Sequence, residues 1–111
     1  MNKVNKLLNI WEMANIRPNK TGLPMVIWIK PKTTEKHGPR IKVQISHGDK
    51  IKINNWVSIS IEDSPQLFGS GLSIDDFNLI VKFIKNNKDN LLKVWNDEID
   101  PIDFVNIIIK N

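Results

Sequence analysis

The chain of 111 residues has no cysteine and no tyrosine. Without cysteine there are no disulfides, no thiol nucleophiles and no thiolate metal sites, and a reducing compartment is the natural expectation. Long apolar runs are also missing. None approaches the roughly 20 residues that cross a bilayer. Leu7, Leu8 and Ile10 form too short and interrupted a stretch for a secretion signal. A cytoplasmic location and no membrane partner are therefore expected.

Chemical motifs are scarce as well. Gly69-x-Gly71 lacks the lysine of a phosphate-binding loop and the strand–helix setting of a dinucleotide fingerprint. His37 and His47 have Glu35 and Asp49 nearby in sequence, but no third histidine and no helical i, i+4 pair. No nucleophile with a companion base stands out. The sequence thus assigns no catalytic residue, no metal and no cofactor, and points to a binding module in place of an enzyme.

What is present is ordinary for a globular protein: 41% hydrophobic and 25% charged residues. The length fits a single domain, residues 1–111, with one modest core. Periodicity places the elements. Val4, Leu7, Leu8 and Trp11 predict a helix over residues 3–16, ended by Arg17-Pro18. Residues 25–29 are continuously apolar between Pro24 and Pro31 and predict a buried strand. In residues 40–46, Ile41, Val43 and Ile45 alternate with Arg40, Lys42, Gln44 and Ser46. Residues 50–53 alternate too, so a hairpin turning at residues 47–49 is expected, with Ile45 opposite Ile51 and Val43 opposite Ile53. Val57, Ile59 and Ile61 mark a further strand or a continuation of the second.

The C-terminal half is helical. Ser73 and Asp76 resemble a capping box ahead of the stripe Ile74, Phe77, Ile80, Val81 and Ile84. Asn86-Asn87 is expected to break that helix before Leu91, Leu92 and Trp95. Asp100-Pro101 reads as an N-cap with proline at the first helical position. The helical part spans residues 73–110, although Ile107-Ile108-Ile109 also suits a short strand. The fold class is α+β: a small antiparallel sheet of three to four strands over residues 25–61, packed against C-terminal helices, with an N-terminal helix.

The net charge of +4 conceals a gradient. Residues 1–29 carry +3, residues 30–52 carry +5 and residues 53–111 carry −4. The central segment places Arg40, Lys42, Lys50 and Lys52 on one side of the expected hairpin, with Lys30 nearby and Trp56 close to that face. Like charges facing one another destabilise a sheet by a few tenths of a kcal/mol or more. Phosphates relieve that repulsion and make binding salt-sensitive, and Trp56 offers a ring for base stacking. Nucleic acid or another polyanion is the leading partner. The plainer explanation is that these lysines keep a sheet surface soluble.

Two further groups suggest a protein partner or a homodimer. Trp28 and Trp56 are the tryptophans placed for exposure, whereas Trp11 and Trp95 lie on apolar stripes. Asp97 and Glu98, with Asp100 and Asp103, form an acidic region; capping accounts for Asp100 and Asp103, and Asp97 and Glu98 remain as docking candidates.

The element order resembles a bacterial family of small α+β proteins, domain-of-unknown-function family four-one-six-zero. The pieces that carry the likeness are Val26-Ile27-Trp28-Ile29, Pro39-Arg40-Ile41-Lys42-Val43, Gly71 and Leu91-Leu92-Lys93-Val94-Trp95, within residues 25–96. Members of that family often come from genes near toxin–antitoxin or mobile-element loci, so the resemblance implies a defence or regulatory accessory role. Arg40 and Lys42 stand where the family has two histidines, so basic character carries over and histidine chemistry does not.

Overall fold

A computed structural model describes residues 15–34 and 36–111. Its elements are β1 (Asn15–Ile16), α1 (Pro18–Thr21), β2 (Ile27–Trp28), β3 (Arg40–Gln44), β4 (Trp56–Ser60), β5 (Leu67–Phe68), α2 (Ile74–Trp95) and α3 (Pro101–Ile107). The fold is α+β. Among the described residues five strands pair antiparallel in chain order, β1-β2-β3-β4-β5.

Strict alternation in β3 and β4 sorts their side chains. Ile41, Val43, Val57 and Ile59 share one face, and all are buried. They join Ile27 from β2 and Ile80, Phe83, Ile84, Leu91 and Val94 from α2 in one core cluster. Each aliphatic side chain buried in this way stabilises the fold by about 1.5–3 kcal/mol. Phe104 of α3 meets Phe83 edge to face, with ring centroids 6.5 Å apart.

Local chemistry sets the helix ends. Ser73 Oγ accepts the N–H of Asp76 at 3.1 Å, and Asp75 and Asp76 sit in the first turn, where negative charge suits the helix dipole. The capping box is half formed, because the Asp76 carboxylate turns to His47 Nε2 at 2.8 Å. At the other end, Glu98 N–H reaches Lys93 O at 2.8 Å and Asp97 N–H reaches Val94 O at 3.0 Å. With Asp97 at φ 60°, this is a Schellman closure with aspartate at the position glycine usually takes. Asp100 caps α3 through Asp103 N–H at 2.8 Å, with Pro101 opening the helix.

Several expectations need correction. Residues 15–16 of the expected N-terminal helix are strand; its residues 3–14, with Trp11, lie outside the described residues, as does Glu35. The sheet extends beyond residues 25–61, because β1 and β5 add a strand on each side and bring the count among the described residues to five. β5 lies beyond the expected sheet of residues 25–61, and two residues are too few to show a period. Gly69, at φ 128°, follows it directly, and a Cβ there would stand 2.8 Å from Val57 Cγ1, so only glycine lets the chain lie this close to β4. Helix α2 runs unbroken through Asn86-Asn87. Asn87 is buried, and its amide bonds to Phe83 O at 2.9 Å and to both backbone groups of Ile109 at 3.0 and 2.8 Å. The tail beyond Ile107 is extended and not helical, strapped along α2 by that amide.

The largest correction concerns the hairpin. β3 pairs with β4, not with residues 50–53: Ile41 faces Ile59, Val43 faces Val57 and Gln44 faces Trp56. Residues 45–55 are the connection. Ile51 is 41% exposed and Ile53 87%, so the alternation there does not mark a core strand. Asn54 adopts a left-handed φ of 64°, which breaks extended pairing before β4 begins.

Candidate functional site

The second face of the sheet is built by the residues that alternate with the core. Antiparallel register places Trp28, Lys42, Ser58 and Phe68 side by side across β2, β3, β4 and β5. One row further along, Arg40 faces Ser60; one row back, Gln44 faces Trp56. Rows on one face are about 7 Å apart, so rings and cations share a continuous surface.

The rings and cations touch. Trp28 and Trp56 pack with centroids 5.2 Å apart and planes at 56°. The Arg40 guanidinium lies 3.7 Å from the Phe68 ring centre. Lys42 Nζ stands 5.8 Å from the Trp28 ring. Such cation–π contacts are worth about 0.5–1 kcal/mol each at exposed sites, and they hold flexible cationic side chains against an aromatic floor.

At one end the face deepens into a cleft of about 150 Å³. Trp28, Lys30, His37, Arg40, Lys42, Ser58 and Trp95 line it. Trp95 is the last residue of α2, and Lys32 N–H bonds its carbonyl at 2.9 Å, which fixes the segment after β2 against the helix end. Lys30 Nζ lies 5.9 Å from the Trp95 ring, and the His37 ring lies 5.9 Å from it on a tilt of 32°. His37 Nδ1 donates to Gly38 O at 2.7 Å, since a carbonyl only accepts; Nε2 is then the ring atom available to a ligand. Burial lowers the Lys30 pKa below its ordinary 10.5, and the nearby Lys42 ammonium lowers it further. Among the described residues, no carboxylate lines this cleft.

Four of the six nucleic-acid candidates thus fall in or beside one another: Lys30, Arg40 and Lys42 line the cleft, and Trp56 packs on Trp28. Lys50 and Lys52 do not share that face as strand residues. They belong to the 45–55 connection, which Gln44 organises: its Nε2 donates to Ser46 O at 3.1 Å and Lys50 O at 2.9 Å, and its Oε1 accepts Lys52 N–H at 3.0 Å. Gln44 is therefore fully buried on the outer side of the sheet. Trp56 Nε1 donates to Lys52 O at 2.9 Å, so this lysine adjoins the far end of the aromatic surface.

The partner candidates divide. Trp28 and Trp56 do come together. Asp97 and Glu98 form the exposed turn that closes α2, and their backbone groups are its cap. The two histidines serve different places: His37 lines the cleft, and His47 ties the 45–55 connection to α2 through Asp76. Among the described residues, no three potential metal ligands converge, and no helix is long and apolar enough to cross a membrane.

No family model matches the chain, and neither curated proteins nor solved structures give a match.

Three members of the cleft, His37, Ser58 and Trp95, are not among the candidates the sequence offers. Trp95 reads as core, and it is only 5% exposed, yet its ring forms a wall. His37 reads as a loop residue. The crossing of Lys32 against the end of α2 brings these two together, and no local pattern encodes that long-range contact.

Proposed function

We propose that this protein binds single-stranded nucleic acid across the outer face of its sheet. The row Trp28, Lys42, Ser58 and Phe68 carries the reading. An open sheet surface that presents rings, here the half-buried Trp28 and Trp56 and the more exposed Phe68, is a platform on which unstacked bases lie, worth about 1–3 kcal/mol per stacked base. The cations interleaved with those rings, Arg40 and Lys42, meet the phosphates. A duplex keeps its base faces inside, where rings on a sheet surface cannot stack on them.

Kinship with family four-one-six-zero is a proposal on the same footing, as is the defence or regulatory role it implies. Pro39–Val43 carries it, and the positions of the family's two histidines are Arg40 and Lys42, both directed to this face.

The test is titration of the full chain with single-stranded DNA and RNA oligonucleotides, read by tryptophan fluorescence over a series of salt concentrations. Binding that weakens steeply with salt, and that Arg40→Glu with Lys42→Glu abolishes, supports the reading. No binding at low salt, or binding indifferent to the double substitution, refutes it.

A further inference from the structure

The cleft at the end of the outer face is too small for a run of bases and too charged for a single backbone phosphate. Its 150 Å³ takes one ring-sized group, well below the 300–1,000 Å³ or so of most small-molecule sites, so the rest of a larger ligand extends out over the open face. Two indoles, Trp28 and Trp95, supply its apolar wall, and each has an ammonium at its ring, Lys42 and Lys30 respectively. The imidazole of His37 stands against Trp95. A phosphodiester within a strand brings one negative charge to this group, whereas a phosphomonoester brings about −1.5 to −2 at neutral pH, with three acceptor oxygens.

We propose that this cleft is a subsite for one nucleotide whose sugar carries a phosphomonoester, the base against the Trp28 and Trp95 walls and the phosphate at Lys30 and Lys42. The assignment rests on the nucleic-acid reading above and adds to it an end: the phosphorylated terminal nucleotide enters the cleft, and the rest of the strand runs out over Trp56 and Phe68. The same chemistry is offered by a free nucleoside monophosphate. The crowding of Lys30 and Lys42 is the electrostatic complement of that ligand, since the phosphate replaces repulsion between two ammoniums with attraction to both.

The experiment compares one oligonucleotide in three forms, 5′-phosphorylated, 3′-phosphorylated and unphosphorylated, with a nucleoside monophosphate and inorganic phosphate as competitors. Full-length protein is used, with binding read by tryptophan fluorescence. One terminal phosphate is expected to tighten binding by about tenfold or more, the scale of a charge-assisted hydrogen bond, and Lys30→Met with Lys42→Met is expected to erase that difference. A preference for one phosphorylated end identifies a strand terminus as the ligand. Competition by the monophosphate together with equal binding of all three strands identifies the free nucleotide. If all three forms bind alike and the monophosphate does not compete, the cleft assignment is overturned while strand binding stands. If nothing binds, both proposals fall.

Discussion

Lys52 N–H donates to the side-chain oxygen of Gln44 at 3.0 Å, while the Gln44 amide nitrogen holds Lys50 O at 2.9 Å. One buried side chain thus fixes the middle of an 11-residue connection, residues 45–55, on the outer side of the sheet. Gln44→Ala removes three hydrogen bonds and leaves their backbone partners to find water. The expected loss is about 2–3 kcal/mol, measured by urea denaturation. Hydrogen exchange adds a local readout: the Lys52 amide becomes unprotected, while the Ile41 and Val57 amides change only with global stability. Unchanged protection at Lys52 refutes the organising role.

This amide also explains where the sequence misleads. The faces of β3 and β4 are legible, because Ile41, Val43, Val57 and Ile59 alternate with polar residues and every one is buried. The pairing is not legible. Ile51 and Ile53 repeat with the same period and satisfy the same parity. What removes them from the sheet is a glutamine that binds backbone in place of solvent, together with the left-handed Asn54. Neither acts through hydrophobic periodicity. The candidate site was half visible for a related reason. Trp28, Arg40, Lys42 and Trp56 sit on strands whose period reveals their common face, whereas His37 and Trp95 join them only through a contact between distant segments.

Asn87 lies mid-helix and bonds in both directions to Ile109. Asn87→Ala is expected to cost about 1–3 kcal/mol, reduced by the better helix propensity of alanine. Asn87→Asp is the sharper test. It keeps the acceptor for Ile109 N–H but sets a carboxylate against the Phe83 and Ile109 carbonyls, so it destabilises more than alanine at neutral pH. Thermal melts of the two variants check the order; equal stability refutes it.

Asp97 closes α2 in a left-handed conformation that suits glycine. Asp97→Gly is expected to stabilise the protein by about 0.5–1 kcal/mol, seen as a higher denaturation midpoint at unchanged slope. A lower midpoint indicates that the aspartate carboxylate makes a contribution larger than the backbone strain it brings.

The lowered pKa of Lys30 has two causes, burial first and Lys42 second. NMR titration of the lysine side chains is therefore expected to find Lys30 below its ordinary value. Lys42→Met moves it upward but only part of the way, because burial remains. The sign for stability follows. With the folded pKa below the unfolded one, the unfolded chain holds more protons between the two values, so this group's penalty eases as pH rises through the lowered folded pKa and is gone above the ordinary 10.5. An unshifted Lys30 contradicts the crowding on which the cleft assignment depends.

The spatial order of the strands is their order in the chain. Each strand therefore needs only its immediate predecessor in order to pair, and no segment waits for one synthesised much later. As the polypeptide emerges from the ribosome, the sheet can lengthen sideways one strand at a time. The row that ends in Phe68 is completed by the last of the described strands to appear, so Phe68 joins a surface that Trp28, Lys42 and Trp56 have already begun.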